Sequence, residues 1–152
     1  MGLDPSVLHL PHIARLMSPE DRQAAWVTTP EEAASAQAAE YEADLQRLCE
    51  LDLHREGIEY IHLSPRAREK AGWPDLTFVL PQAGPAWAPP RPGIPYAVEL
   101  KAKNGRLSAD QEATLKRMAM NGWRTAVVRD HAAFRAILAK HKEQNPQPKA
   151  TP

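Results

Sequence analysis

Asp75, Glu99 and Lys101 stand on stretches that otherwise read as buried β-strand. "DLTFVL", 75–80, is rich in the apolar and β-branched residues a sheet favours, yet it starts with a carboxylate after Pro74. "YAVELKA", 96–102, carries an acid and a base inside an apolar run. Side chains alternate along a strand, so Val98 and Leu100 share one face and Glu99 and Lys101 the other. If the two strands are neighbours, Asp75 meets Glu99. Two carboxylates brought together repel unless a positive charge lies between them. A divalent cation supplies it, and Mg²⁺ or Mn²⁺ takes oxygen ligands of this kind, one or two carboxylates completed by water and substrate phosphate. A lysine beside such a pair orients or helps deprotonate a water for attack on a phosphodiester. The plainer alternatives are a turn at Asp75, since turns favour Asp, and a same-face ion pair between Glu99 and Lys101.

The surrounding elements read as α/β. Thr29, Pro30, Glu31 and Glu32 have the chemistry of a helix start, and Gly57 that of its end. Between them Ala38, Tyr41, Leu45 and Leu48 form an apolar stripe. "IEYIHL", 58–63, alternates as a strand, and "SPRAREKAGW" is a basic connector. Residues 81–95 are proline-rich and read as a loop, because proline lacks an amide hydrogen to donate. A helix follows "NGR", then the strand "RTAVVRD" and the amphipathic helix "HAAFRAILAKHK", with Phe134, Ile137 and Leu138 inward. The order is αβββαβ followed by a last helix. The strand–helix–strand unit at 96–128 predicts a mixed sheet with a right-handed crossover. An earlier helix start is suggested by Ser18 and Pro19. The expected organisation is an N-terminal segment over 1–34, a domain over 35–142 with the proline-rich insert at 81–95, and a flexible polar tail over 143–152.

Composition sets bounds. The chain has 152 residues, 43% hydrophobic and 25% charged, enough for one domain with a real core. Nineteen basic and nineteen acidic residues cancel, so no global charge draws it to nucleic acid, and local clusters decide instead. The single cysteine, Cys49, excludes an intrachain disulfide and reads as a small core hydrophobe. No apolar run approaches the ~20 residues of a membrane span, and residues 1–30 lack a signal-peptide pattern. A cytoplasmic protein with no membrane partner is expected.

"PD" at 74–75 followed by "ELK" at 99–101 resembles the PD-(D/E)xK nuclease pattern. More of the chain resembles one branch of it, the VRR-NUC domain family. "EADLQ" through "REG", 42–57, is similar to its first helix, "GWPDL" to its G-x-P-D-L, "VELKAKNGRLSADQ" to its E-x-K with G-R-L-S-x-x-Q, and "GWRTAVVRD" to its closing strand. The match runs in order over roughly residues 40–140, departing at the proline-rich insert and the N-terminal segment. The resemblance implies a restriction-endonuclease-like core, a mixed central sheet flanked by helices. It also implies a Mg²⁺- or Mn²⁺-dependent endonuclease that leaves a 5′-phosphate. Asp75 and Glu99 match its metal ligands with the Leu100 carbonyl as a third, Lys101 its catalytic lysine, Gln111 a glutamine supporting the site, and Glu42 the acid of its first helix. On a helical wheel Glu42 and Asp44 flank the Tyr41–Leu45–Leu48 stripe about equally, and only the resemblance favours Glu42. Glu42 with Gln46 also reads as an ordinary i, i+4 surface pair. Gln111 has a second reading as the last residue of a capping box begun by Ser108. Both stay open.

Arg66, Arg68 and Lys70 precede Asp75, and Lys103 and Arg106 follow Lys101. Such loop cations suit phosphate contacts, and a solvated surface is the plainer reading of each singly. Trp73 has the chemistry to stack on an unpaired base or, more commonly, to pack beneath a loop. The small size resembles phage-encoded members, which implies branched DNA, four-way (Holliday) junctions in particular, and a homodimer. A flap- or nick-type nuclease with the same site, a non-cleaving DNA-binding module and a subunit directed by a protein partner are the alternatives. The intact acid, acid, x, lysine set argues against the binding module.

Overall fold

In a computed structural model, residues 29–62, 72–85, 87–89 and 91–146 are described. The helix start at Ser18, the cations Arg66, Arg68 and Lys70, and the end of the polar tail lie outside them. Two compact units divide the chain, Met1–Tyr41 and Glu42–Pro152. Helix α1 (Pro30–Arg55) begins in the first; β1 (Tyr60–His62), β2 (Leu76–Leu80), β3 (Ile94–Leu100), α2 (Ala109–Met120), β4 (Arg124–Val128) and α3 (His131–Gln144) belong to the second.

The start of α1 follows from local chemistry. The Thr29 hydroxyl accepts from the Glu32 amide at 3.1 Å, and the Glu32 carboxylate accepts from the Thr29 amide at 2.7 Å, a capping box that satisfies two otherwise orphaned donors. At the other end Gly57 takes a φ of 66°, which lets its amide reach the His54 carbonyl and the Ile58 amide reach Leu53. The stripe between them differs from the expected one. Leu45, Cys49 and Leu53 are buried, whereas Tyr41 and Leu48 are each 43% exposed. The helix turns its Leu45–Cys49–Leu53 line toward the sheet because that spacing of four continues unbroken to the helix end.

The sheet order is β1-β2-β3-β4. The first two pairings are antiparallel and β3–β4 is parallel, joined through α2. Alternation then sorts the residues. Leu76, Phe78 and Leu80 of β2 and Tyr96, Val98 and Leu100 of β3 join α1 and α3 in one core with Val128, Phe134 and Leu138. Phe78 and Tyr96, opposite one another, stack with ring centroids 5.5 Å apart. Ala97 faces the other way, onto Leu115 and Met118 of α2. β3 is therefore covered on both faces, and each fully buried large apolar side chain contributes about 1.5–3 kcal/mol. This is the α/β, mixed-sheet architecture flanked by helices expected of a restriction-endonuclease-like core.

Strand boundaries shift. The first strand is Tyr60–His62, shorter than 58–63, and β3 runs Ile94–Leu100 where 96–102 was expected. Pro95 fits inside it because it pairs only with Val79 of β2; the ladder to β4 starts at Tyr96, so no bond to β4 is lost to the missing amide hydrogen. The proline-rich loop is fastened where it leaves β2: the His141 ring donates from Nε2 to the Pro81 carbonyl at 2.8 Å, with Nδ1 3.1 Å from the Tyr96 hydroxyl. Among the described residues no helix is long and apolar enough to cross a membrane.

Cys49 is fully buried, and its thiol is pushed up to about 12 by burial first and by the neighbouring Asp52 and Glu50 carboxylates next. The folded value lies above the 9.0 of an ordinary thiol, so the protonated form's contribution is intact below pH 9 and lost as pH rises toward 12. Two outcomes are expected. Thiol reagents label the native protein at about pH 8 only as fast as it unfolds. The wild type also loses an increment of urea stability over the alkaline window that Cys49→Ala does not lose, a difference read from paired melts.

Candidate active site

The residues singled out by sequence converge at one end of the sheet. Asp75 stands immediately before β2 and Glu99 is the penultimate residue of β3. The register pairs Leu76 with Val98, and one step further along the antiparallel ladder sets Asp75 opposite Glu99. The expectation that these strands are neighbours is met. Asp75 Oδ2 accepts the Leu100 amide at 2.8 Å, so this carboxylate and the Leu100 peptide are one hydrogen bond apart.

Glu99 is wholly buried. A carboxylate in that position costs several kcal/mol unless charge and hydrogen bonds compensate it. Lys101 Nζ lies 2.8 Å from Glu99 Oε1, and the Lys101 side chain is itself only 13% exposed. The Gln111 amide donates from Nε2 to the same oxygen. The capping-box reading of Gln111 is met, and the two ends of its side-chain amide reach Ser108 and Glu99. Its Oε1 accepts the Ser108 amide at 2.9 Å, and the Ser108 hydroxyl accepts the Gln111 amide at 3.2 Å, completing the capping box of α2.

The two acids weighed on the first helix make different contacts. Glu42 Oε1 accepts the Ala102 amide at 2.8 Å, just past β3, whereas Asp44 is exposed and paired to Arg47 at 2.7 Å. Glu42 sits three and seven residues before Leu45 and Cys49, on the stripe that is actually buried, which is why it faces inward. Gln46 does not pair with Glu42; its amide meets Glu50 at 2.7 Å and the His62 ring. Lys103 and Arg106 are exposed on the loop after β3. Arg66 and Arg68 lie outside the described residues. Trp73 is half-buried and packs against the cluster of Ala97, Leu115 and Met118.

Two residues that sequence reasoning did not single out build the frame. Gly72 has a φ of 80°, and a Cβ there would collide with the backbone of Asp110 and Gln111. The turn leading into Asp75 thus sits directly on the first turn of α2, which ties Asp75 and Gln111 together. The glycine three residues before Asp75 was the available signal. Arg129, immediately after β4, donates from Nη1 to the carbonyls of Ala102 at 2.9 Å, Gly105 at 2.7 Å and Lys103 at 3.4 Å. An arginine at a strand end has no local signature of such a role.

The donor set suits a hard divalent cation: two opposed carboxylates beside a backbone turn, with a third, Glu42 of α1, at the Ala102 amide two residues past the end of β3. Among the described residues no three His, Cys, Asp or Glu side chains form a ready-made cluster. Mg²⁺ needs none, since it keeps several waters and is held by one or two carboxylates.

Separating the two ends of Gln111 gives a prediction. Ser108→Ala removes the cap and costs about 1 kcal/mol. Gln111→Ala loses the cap partner and also the bond to the Glu99 carboxylate, a further ~1.5–3 kcal/mol. Urea unfolding of the two variants measures the difference, and equal losses would show that the bond to Glu99 contributes nothing.

No curated protein and no solved structure matches the chain. The model of the VRR-NUC domain matches residues 17–132, most of the 152-residue chain, and this span holds Glu42, Asp75, Glu99, Lys101 and Gln111. The match confirms the resemblance drawn from the motifs: the chain belongs to the VRR-NUC domain family and carries a nuclease-type domain.

Proposed function

We propose that the protein is a divalent-metal-dependent endodeoxyribonuclease that hydrolyses phosphodiester bonds in branched DNA, four-way junctions in particular. The observation that carries the chemistry is the buried Glu99 carboxylate with Lys101 Nζ at 2.8 Å, on the strand end where Asp75 grips the Leu100 amide. A fold gains little stability from burying such a pair in place of apolar side chains, so its presence at an open sheet end favours a chemical role.

Mg²⁺ or Mn²⁺ would be held by Asp75, Glu99 and the Leu100 carbonyl, with Glu42 acting through water. Such an ion supplies Lewis-acid stabilisation of charge developing on the phosphate oxygens. The chain's own groups do the rest. Lys101 orients the attacking water and offers positive charge beside it. Gln111 keeps Glu99 in one rotamer by its Nε2 bond while its other end is fixed to Ser108. Lys103 and Arg106 hold the DNA backbone, together with Arg66 and Arg68 of the basic connector. Cleavage leaves a 5′-phosphate. A homodimer working in the cytoplasm would set two such sites against the paired strands of a junction.

The test is a nicking assay with Mg²⁺ or Mn²⁺ on labelled four-way junction, flap, single-stranded and duplex DNA, comparing wild type with Asp75→Asn and Lys101→Ala. Metal-dependent cutting of the junction is expected, reduced at least about a hundredfold in both variants, with DNA binding retained at a temperature where circular dichroism shows each variant folded. Cutting of flaps but not junctions would keep the site and change the substrate. Tight binding by wild type without cutting under either metal would sink the enzyme reading.

A further inference from the structure

The loop that leaves the site at Lys101 is held from two sides by opposite charges. The Ala102 amide donates to Glu42 at 2.8 Å, and the Ala102 carbonyl accepts from Arg129 at 2.9 Å. The same Arg129 nitrogen also takes the Gly105 carbonyl at 2.7 Å and the Lys103 carbonyl at 3.4 Å. The Gly105 amide closes the turn onto the Ala102 carbonyl at 2.9 Å. A guanidinium bonded to three carbonyls of one tight turn gathers them on one side. The side chains of Lys103 and Arg106 are left exposed. Arg129 is well placed for this because the parallel ladder continues past β3, with the Lys101 amide donating to the Val128 carbonyl at 3.0 Å, so the residue after Val128 emerges beside the turn.

We infer that Arg129 is a positioning residue that acts through the 102–105 turn, fixing the geometry in which Lys103 and Arg106 meet the DNA backbone. The inference rests on the DNA reading above, since it assigns those two cations to phosphate. Arg129 Nη1 is taken up by these three carbonyls, and the effect on DNA assigned to Arg129 is the one that passes through the turn. Asp75 and Glu99 have anchors outside the turn, Asp75 on Leu100 and Glu99 on Lys101 and Gln111, while Glu42 shares Ala102 with Arg129. Loss of Arg129 therefore weakens DNA engagement more than it slows the chemical step.

Two measurements test this on the full chain. In DNA-free protein, Arg129→Gln should speed hydrogen exchange at the amides of 102–106 while leaving exchange in β2 and β3 unchanged. With a four-way junction in EDTA, the same variant should bind about tenfold more weakly. In a Lys103→Ala/Arg106→Ala background it should bring almost no further loss, because a residue that acts through two others has no effect once they are gone. Under cleaving conditions KM should rise about tenfold with kcat within about threefold. Arg129→Lys keeps a cation that can still reach a carbonyl and should restore part of both the protection and the affinity, which also covers the case in which the glutamine variant folds poorly. Unchanged exchange at 102–106, a fully additive loss of binding, or a fall in kcat at constant KM would each overturn the inference. Wild type that fails to bind DNA refutes the DNA reading and this inference together. Wild type that binds, with Arg129→Gln binding equally well, refutes this inference alone.

Discussion

The structure turns on the burial of one carboxylate. Glu99 is placed by β3, a strand covered on both faces, and its charge is removed from water. That position is tolerable only if positive charge and hydrogen bonds reach it, and two do: the ammonium of Lys101, two residues along the same strand direction, and the amide of Gln111 from α2. The alternation of the strand supplies the lysine, and the packing of α2 supplies the glutamine. Each constrains where the other elements can lie.

From Glu99 the constraint spreads outward through backbone contacts. The antiparallel register sets Asp75 opposite, and its carboxylate fastens the Leu100 amide. The turn before Asp75 rests on α2 at Gly72, so the strand bearing one acid and the helix bearing Gln111 cannot shift independently. On the far side Glu42 and Arg129 grip the two ends of the Ala102 residue from α1 and from the end of β4. Polar contacts from the start of β2, from α1, from α2 and from the end of β4 therefore converge on the end of β3 and the turn that follows it. Such convergence holds the site from the scaffold, and the loop cations Lys103 and Arg106 stand exposed beside it.

Several parts were legible before any coordinates. The αβββαβ order, the helix cap at Thr29, the capping box at Ser108 and the glycine stop at Gly57 rest on interactions within a few residues, so short patterns carry them. The shared face of Glu99 and Lys101 follows from the period of a strand, whereas the meeting of Asp75 with Glu99 was conditional on β2 and β3 being neighbours, which the register supplies. The α1 stripe was misplaced for a physical reason. Tyr41, Leu45 and Leu48 are the larger apolar residues, but burial follows the line Leu45–Cys49–Leu53, where a cysteine fills the middle position. Centred on that line, the wheel would have distinguished Glu42 from Asp44.

By itself, then, the sequence determined which elements form, where the capped helices start, and that Glu99 and Lys101 share one face at the end of a strand, because these properties depend on short-range periodicity and capping. Only the tertiary structure decided that Gln111 serves helix and site at once, that Glu42 closes on the Ala102 amide, that Gly72 is a packing contact and that Arg129 holds the loop. Each of these joins residues that are distant along the chain or uses a backbone group that every residue possesses. A residue's type does not reveal such a bond; it exists only once the sheet has set the partners side by side.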